Sequence, residues 1–141
     1  MTVQQARALN AYQREAVLSA SPARLLTLLY DRLLLDLARA AEAQGTQDWP
    51  AAHELLIHAQ DIIAELSATL EPGAWDGADH LAGLYSYAGT ALMNANIHRD
   101  PAPVRDCISL LEPLRQAWHE AAATPADGVS AASVSEGRVP A

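Results

Sequence analysis

Eight leucines fall in the thirteen residues from Leu25 to Leu37, more than one core-facing stripe of a helix can use. At about 100° per residue, Leu25, Leu26, Leu29, Leu33 and Leu37 share one face and suit a buried core. Leu28 and Leu35 lie seven residues apart on another face, among Arg24, Arg32 and Arg39. Ser21-Pro22 marks the start of this helix, with Ser as N-cap and Pro at the first helical position. Gly45 ends it.

The same period recurs three more times. Asp48-Trp49-Pro50 opens a second helix to about Leu70, with Leu55, Leu56, Ala59, Ile62, Ile63, Leu66 and Leu70 on its core stripe. Glu71-Pro72-Gly73 breaks the chain. A third helix follows from about Asp79 to Ile97, its core residues Leu81, Leu84, Tyr85, Ala88, Leu92 and Ala95. Past Asp100-Pro101-Ala102-Pro103, a fourth runs from about Val104 to Ala122 and buries Val104, Cys107, Ile108, Leu111, Leu114 and Trp118. Pro113 inside it removes a backbone hydrogen bond and predicts a kink or a two-piece helix, on the polar side.

Four amphipathic helices joined by short loops predict an all-α fold, an antiparallel up-down four-helix bundle over residues 21–123. Residues 1–20 fit a short helix or a docked arm. Residues 124–141, rich in Ala, Ser, Gly and Pro without period, read as a disordered tail.

Composition narrows the function. The 141 residues are half hydrophobic, which fits a globular chain, and a net charge of −8 argues against nucleic-acid binding. No apolar run approaches the roughly 18 residues that span a bilayer. The N-terminus lacks a signal peptide's apolar region, and a single Cys107 permits no internal disulfide, so a cytoplasmic location is expected.

The chemistry is sparse. His53-Glu54-Leu55-Leu56-Ile57-His58 imitates a zinc-protease motif, but its second His comes five residues after the first, about 140° round the helix. Cys107 lies on a core stripe and reads as an inert thiol. Asp36 sits at the edge of the first core stripe, to pair with an Arg or mark the boundary. We expect no catalytic residues, no metal and no cofactor.

The surfaces opposite the core say more. Ile57, Ala64 and Ala68 form a minor strip on the second helix; Ala82, Ser86, Gly89 and Met93 form another on the third. Small side chains admit a close helix, and Met adapts to varied partners. Adjoining strips would make a groove for an amphipathic helix.

Four blocks carry a resemblance. Asn10-Ala11-Tyr12-Gln13 and Val17-Leu18-Ser19-Ala20-Ser21-Pro22 lead into Leu25-Leu26-Thr27-Leu28-Leu29-Tyr30-Asp31. Ala59-Gln60-Asp61-Ile62-Ile63-Ala64-Glu65-Leu66, Ala95-Asn96 with Asp100, and Leu110-Leu111-Glu112-Pro113-Leu114-Arg115-Gln116-Ala117-Trp118 follow. In this order and spacing the chain resembles the flagellar secretion chaperone FliS family over about residues 10 to 122. Pro113, Arg32 after Asp31 and the long tail depart from the family pattern.

The resemblance implies a cytoplasmic four-helix chaperone for newly made flagellin. It would bind flagellin's disordered C-terminal segment, prevent premature polymerisation and assist delivery to the export apparatus. It also implies that Tyr12, Val17 and Leu18 cap part of the apolar surface. Leu28 and Leu35 are left as arm-docking, partner or self-association contacts. The competing reading is a structural homodimer or larger homo-oligomer that buries them across a two-fold interface.

Overall fold

A computed structural model describes residues 2, 3, 5 and 21–123. Among the described residues four long helices carry the fold: α1 Pro22–Gly45, α2 Trp49–Thr69, α3 Asp76–His98 and α4 Ala102–Ala123. The fold is all-α, a four-helix bundle. Thr2 and Gln5 also exchange backbone-to-side-chain hydrogen bonds in the capping-box pattern.

The helix boundaries follow from local chemistry. Ser21 Oγ accepts from Arg24 N–H at 3.2 Å, and Asp48 Oδ1 accepts from Ala51 N–H at 3.2 Å. Each cap satisfies an amide that the first turn leaves unpaired. Between α1 and α2, Gln47 takes a left-handed backbone (φ 60°), and its N–H donates to Gln44 O. Gly73 at φ 75° supplies the left-handed residue between α2 and α3.

Two boundaries differ from the sequence pattern. α3 starts at Asp76, three residues before the expected Asp79, because Asp76 and Asp79 both lie in its first turn and complement the helix dipole. The ring of Trp75 folds over Gly77, where a Cβ would sit only 1.7 Å from ring carbon Cζ3. α4 is one continuous helix through Pro113 rather than two pieces. Pro113 is exposed, as is Ser109, whose carbonyl loses its helical donor but faces water.

Residues Leu29–Arg115 form one compact unit. Within it, side-chain contacts give the helix directions. Asp36 of α1 meets His58 of α2, and Asn96 near the end of α3 meets His53 near the start of α2. Asp31 meets Arg115 of α4, whereas Tyr30 meets Tyr85 and Gln44 meets Ala95, both pairs in parallel register on α1 and α3. This is the up-down-up-down order that short loops impose. The backbones of α2 and α3 run close together over much of their length. Small buried residues, Ala52 and Ala59 on α2, Ala78 and Ala88 on α3, permit it.

The core of this unit contains Leu33, Leu37, Leu56, Leu66, Leu92, Val104 and Leu111, all fully buried or nearly so. Each such aliphatic contributes about 1.5–3 kcal/mol by leaving water. Several expected core residues are only half-buried: Leu25, Leu26, Leu29, Leu55, Leu70, Leu84, Ile108, Leu114 and Trp118. Most lie near helix ends or at the border of a stripe, where the bundle rim is solvated. Tyr30 and Leu34 take buried places that the five-leucine stripe left out.

The second unit contains residues 21–28 and 116–123 among those described. There Thr27 is buried, its Oγ1 donating to Arg24 O at 2.8 Å, beside a cavity lined by Ser21, Arg24, Thr27 and His119. Tyr12, Val17, Leu18 and the 124–141 tail lie outside the described residues.

Candidate functional site

Three polar side chains are buried in α1, and two belong to the Leu29–Arg115 unit. Asp36 is fully buried; one carboxylate oxygen accepts from Arg32 Nε at 3.0 Å and the other from His58 Nδ1. Both partners keep about half of their side-chain surface in water. The carboxylate is therefore satisfied without burying a second charge. Gln44 is the other, 4% exposed, with Nε2 donating to Ala95 O and Asp100 O at 3.4 Å each.

Neither His pair nor thiol forms a reactive centre. His53 Nδ1 accepts from Asn96 Nδ2 at 2.9 Å on the α3 side, while His58 turns to Asp36 on the α1 side. Five residues of helix carry the rings to different neighbours, as the spacing requires. Cys107 is fully buried with Sγ 4.0 Å from Ala88 O; burial, and secondarily Asp106, push its thiol up to about 11. A neutral buried thiol is a poor nucleophile. The Tyr85 hydroxyl, 2.7 Å from that of Tyr30, is likewise raised by burial and then by that hydrogen bond.

The outer faces of α2 and α3 present a different surface. Ile57, Ala64 and Ala68 on α2, and Ala82, Ser86 and Met93 on α3, are all exposed; Gly89 is half-buried against Ile63. Contacts between the two helices fix their relative rotation. His53 touches Asn96 at one end, Gly89 stands over Ile63 in the middle, and Ser67 and Leu70 share a cavity with Ala82 and Ser86 at the other. Helical periodicity then puts Ala64, Ala82, Ser86, Gly89 and Met93 along the α2/α3 seam, with Ile57 and Ala68 on its α2 flank. Ile97, 66% exposed and one turn past Met93, extends the apolar line. From Ala82 to Ile97 it spans fifteen helical steps of α3, about 22 Å.

Cavities close both ends of this seam. One of about 190 Å³ lies among Ser67, Leu70, Ala78, Asp79, Ala82 and Ser86. The other, about 430 Å³, lies among Gln44, Trp49, His53, Asn96, Ile97 and Arg99. There the Arg99 guanidinium stands 5.2 Å from the Trp49 ring centroid, a cation–π pair, on a backbone held left-handed at φ 51°.

The FliS model, described as flagellar protein FliS, matches residues 5–125. The chain belongs to the FliS family. It is 33% identical to the flagellar secretion chaperone FliS of Bacillus subtilis over 112 residues, 79% of this chain and 84% of that protein. It is 34% identical to the flagellar secretion chaperone FliS of Salmonella typhimurium over 108 residues, 74% of this chain and 79% of that protein. A solved structure titled as a flagellar chaperone from bacteria superposes with a TM-score of 0.66, covering 81% of this chain and 96% of that one at 21% identity, a likeness of fold. Among the described residues no helix is long and apolar enough to cross a membrane. A chaperone family of flagellar secretion fits a surface that offers contact area rather than reactive groups.

The two expected leucine contacts separate. Leu35 is 43% exposed, whereas Leu28 is half-buried. The residues of the second end cavity went unnoticed in the sequence. Gln44 falls seven residues after Leu37 on the same stripe, so the period carried a signal for it. Trp49 read only as part of a helix start. The Arg99 side chain gave none, since its position depends on the left-handed turn after α3.

Proposed function

We propose that this chain is a cytoplasmic, non-enzymatic export chaperone that holds flagellin's disordered C-terminal segment as a helix along the α2/α3 seam. Covering that segment prevents premature polymerisation and keeps the subunit deliverable to the flagellar export apparatus. The observation that carries the reading is the line of small and apolar residues, exposed except for half-buried Gly89, from Ala64 and Ala82 to Met93 and Ile97, in a chain of this family. Ala, Ser and Gly let a guest backbone approach closely, and Met93 and Ile97 supply apolar area at one end. A disordered guest orders as it binds, so the contact couples folding to association. Tyr12, Val17 and Leu18 serve in this reading as a cover for the empty seam.

Leu28 and Leu35 are better suited to local contacts than to a two-fold interface. Leu35 has Arg32 and Arg39 on its face of α1, too little apolar area for a stable dimer. The test is co-purification with the flagellin encoded by the same genome, followed by light scattering. A 1:1 complex that disappears when flagellin's C-terminal segment is removed supports the reading; full binding to the truncated flagellin refutes it. Met93→Glu places a carboxylate in the apolar contact and should weaken binding about 30- to 100-fold. A Met93→Glu variant of wild-type affinity would move the guest off the seam.

A further inference from the structure

We infer, resting on the proposed seating of flagellin's C-terminal segment as a helix along α2 and α3, that the guest is read at two points three helical turns apart. One is a pocket for a single large aliphatic side chain at the Ala82 end of the seam. The other is an apolar ledge at the Met93 end, which takes a second such side chain.

The pocket is the cavity of about 190 Å³ where α2 ends and α3 begins. Its lining is mostly apolar: Leu70 just past α2, Pro72 in the loop, and Ala78 and Ala82 on α3. Ala78 is buried at 1% exposure and forms its inner wall, whereas Ala82 stands open to water. A void of roughly 150 Å³ takes a benzene-sized group, so this one has room for one Leu, Ile or Met side chain. Asp79 on the lining repels an acidic side chain, and no cationic residue lines the cavity to offset it. An aliphatic group gains by leaving water for such walls.

The ledge is Met93, 49% exposed, with Ile97 one turn further on. Between the two points α3 offers the seam only Ser86 and Gly89, which admit a guest backbone but give it little apolar area. Contact energy is therefore concentrated at the ends, as in other interfaces where a few anchors dominate. Ala82 and Met93 are eleven residues apart, about 16 Å along the helix axis. A guest helix lying along α3 rises at the same rate. Eleven residues make three turns plus about 20°, so guest residues i and i+11 meet the seam on one face. The spacing of pocket and ledge selects a segment with two large aliphatic side chains at that separation.

Calorimetric titration of the full chain with a synthetic peptide of flagellin's C-terminal segment, each large apolar residue replaced by Ala in turn, tests this. Two positions ten to twelve residues apart should each cost about 10- to 30-fold in affinity, and the others less than about 3-fold. Ala82→Leu fills the pocket from an exposed position. It should weaken the parent peptide about 10-fold and leave one of the two positions with no further loss. Met93→Ala should couple to the other position. Ser86→Leu narrows the pocket from the next turn and covers the case in which Ala82→Leu disturbs the fold. Losses spread evenly along the peptide, or coupled positions a single turn apart, would overturn the inference. If Met93→Glu abolishes binding while Ala82→Leu and Ser86→Leu bind as wild type does, the seam stands and the pocket falls. A peptide indifferent to Met93→Glu removes both.

Discussion

The inner and outer faces of the α2/α3 pair are made from overlapping residue types in opposite surroundings, one buried and one in water. Inside, Leu56, Ile63 and Leu66 of α2 and Leu81, Tyr85, Ala88 and Leu92 of α3 are nearly all out of water. Outside, Ala64, Ala68, Ala82 and Ser86 lie open, with Met93 about half exposed. The inner face alternates large and small side chains so that the helices interlock. On the outer face Ala64, Ala68, Ala82, Ser86 and Gly89 are small, and Ile57, Met93 and Ile97 are the larger apolar side chains beside them. A monomer gains nothing from apolar residues left in water, and the difference is what makes the outer face the seat for flagellin in the proposed function.

The largest expected effect lies inside. Leu92→Ala or Leu56→Ala removes a fully buried side chain and should cost about 2–5 kcal/mol in chemical denaturation. At a temperature where these variants stay folded, their affinity for the flagellin segment should match wild type. Met93→Glu should invert the pattern: stability within about 0.5 kcal/mol of wild type, affinity largely lost. If Leu92→Ala and Met93→Glu change both quantities together, the two faces are not separable and the comparison breaks.

A pH titration sharpens the inner side of it. Cys107 packs its thiol against the Ala88 carbonyl on the inner face of α3, and burial raises that thiol from its ordinary 9.0 to about 11. A raised folded value favours the protonated thiol in the fold. Its contribution is therefore complete below pH 9 and is lost as pH climbs to about 11, up to about 2 kcal/mol. Cys107→Ala, less stable at neutral pH, should decline less steeply over that window. Equal slopes for the two proteins in urea melts at pH 8 to 11 would show the thiol is less enclosed than its surroundings indicate.

How far the sequence revealed this arrangement depended on how local each signal was. Ser21-Pro22, Asp48-Trp49-Pro50 and Pro72-Gly73 act through their own backbone, and α1 and α2 start at the caps they specify. The stripes of α2 and α3 were legible because one helical period records which residues avoid water. Asp36 was legible only in part: the period placed it at the border of the core, but its partner His58 comes from another helix. The seam is a joint property of two helices. Each strip could be read alone, whereas their adjacency needed the His53–Asn96 and Ile63–Gly89 contacts. The cavity lined by Gln44 draws on three helices and a left-handed residue, and no linear pattern encodes such a convergence.

The smallest effect is the most discriminating, because it uses the same substitution on two glycines of α3. A Cβ built on Gly83 meets nothing within 4 Å, and one on Gly89 meets only Ile63 Cγ2 at 3.9 Å, an ordinary contact. Neither has a left-handed backbone. Both Gly→Ala changes should then stabilise the free chain by about 0.5–1 kcal/mol, since a mid-helix glycine loses more backbone freedom on folding than alanine does. Their effects on binding should diverge. Gly83 lies about 120° round the helix from Gly89, away from the seam, so Gly83→Ala should leave affinity unchanged. In the proposed seating Gly89 faces the guest, and an added methyl group would stand between α3 and the guest backbone. Gly89→Ala should therefore raise the melting temperature and still weaken the flagellin segment several-fold. Two variants that stabilise alike and bind alike would mean that the guest does not approach α3 at Gly89. The small residues of the outer face would then be a consequence of alanine-rich composition rather than a seat for a helix.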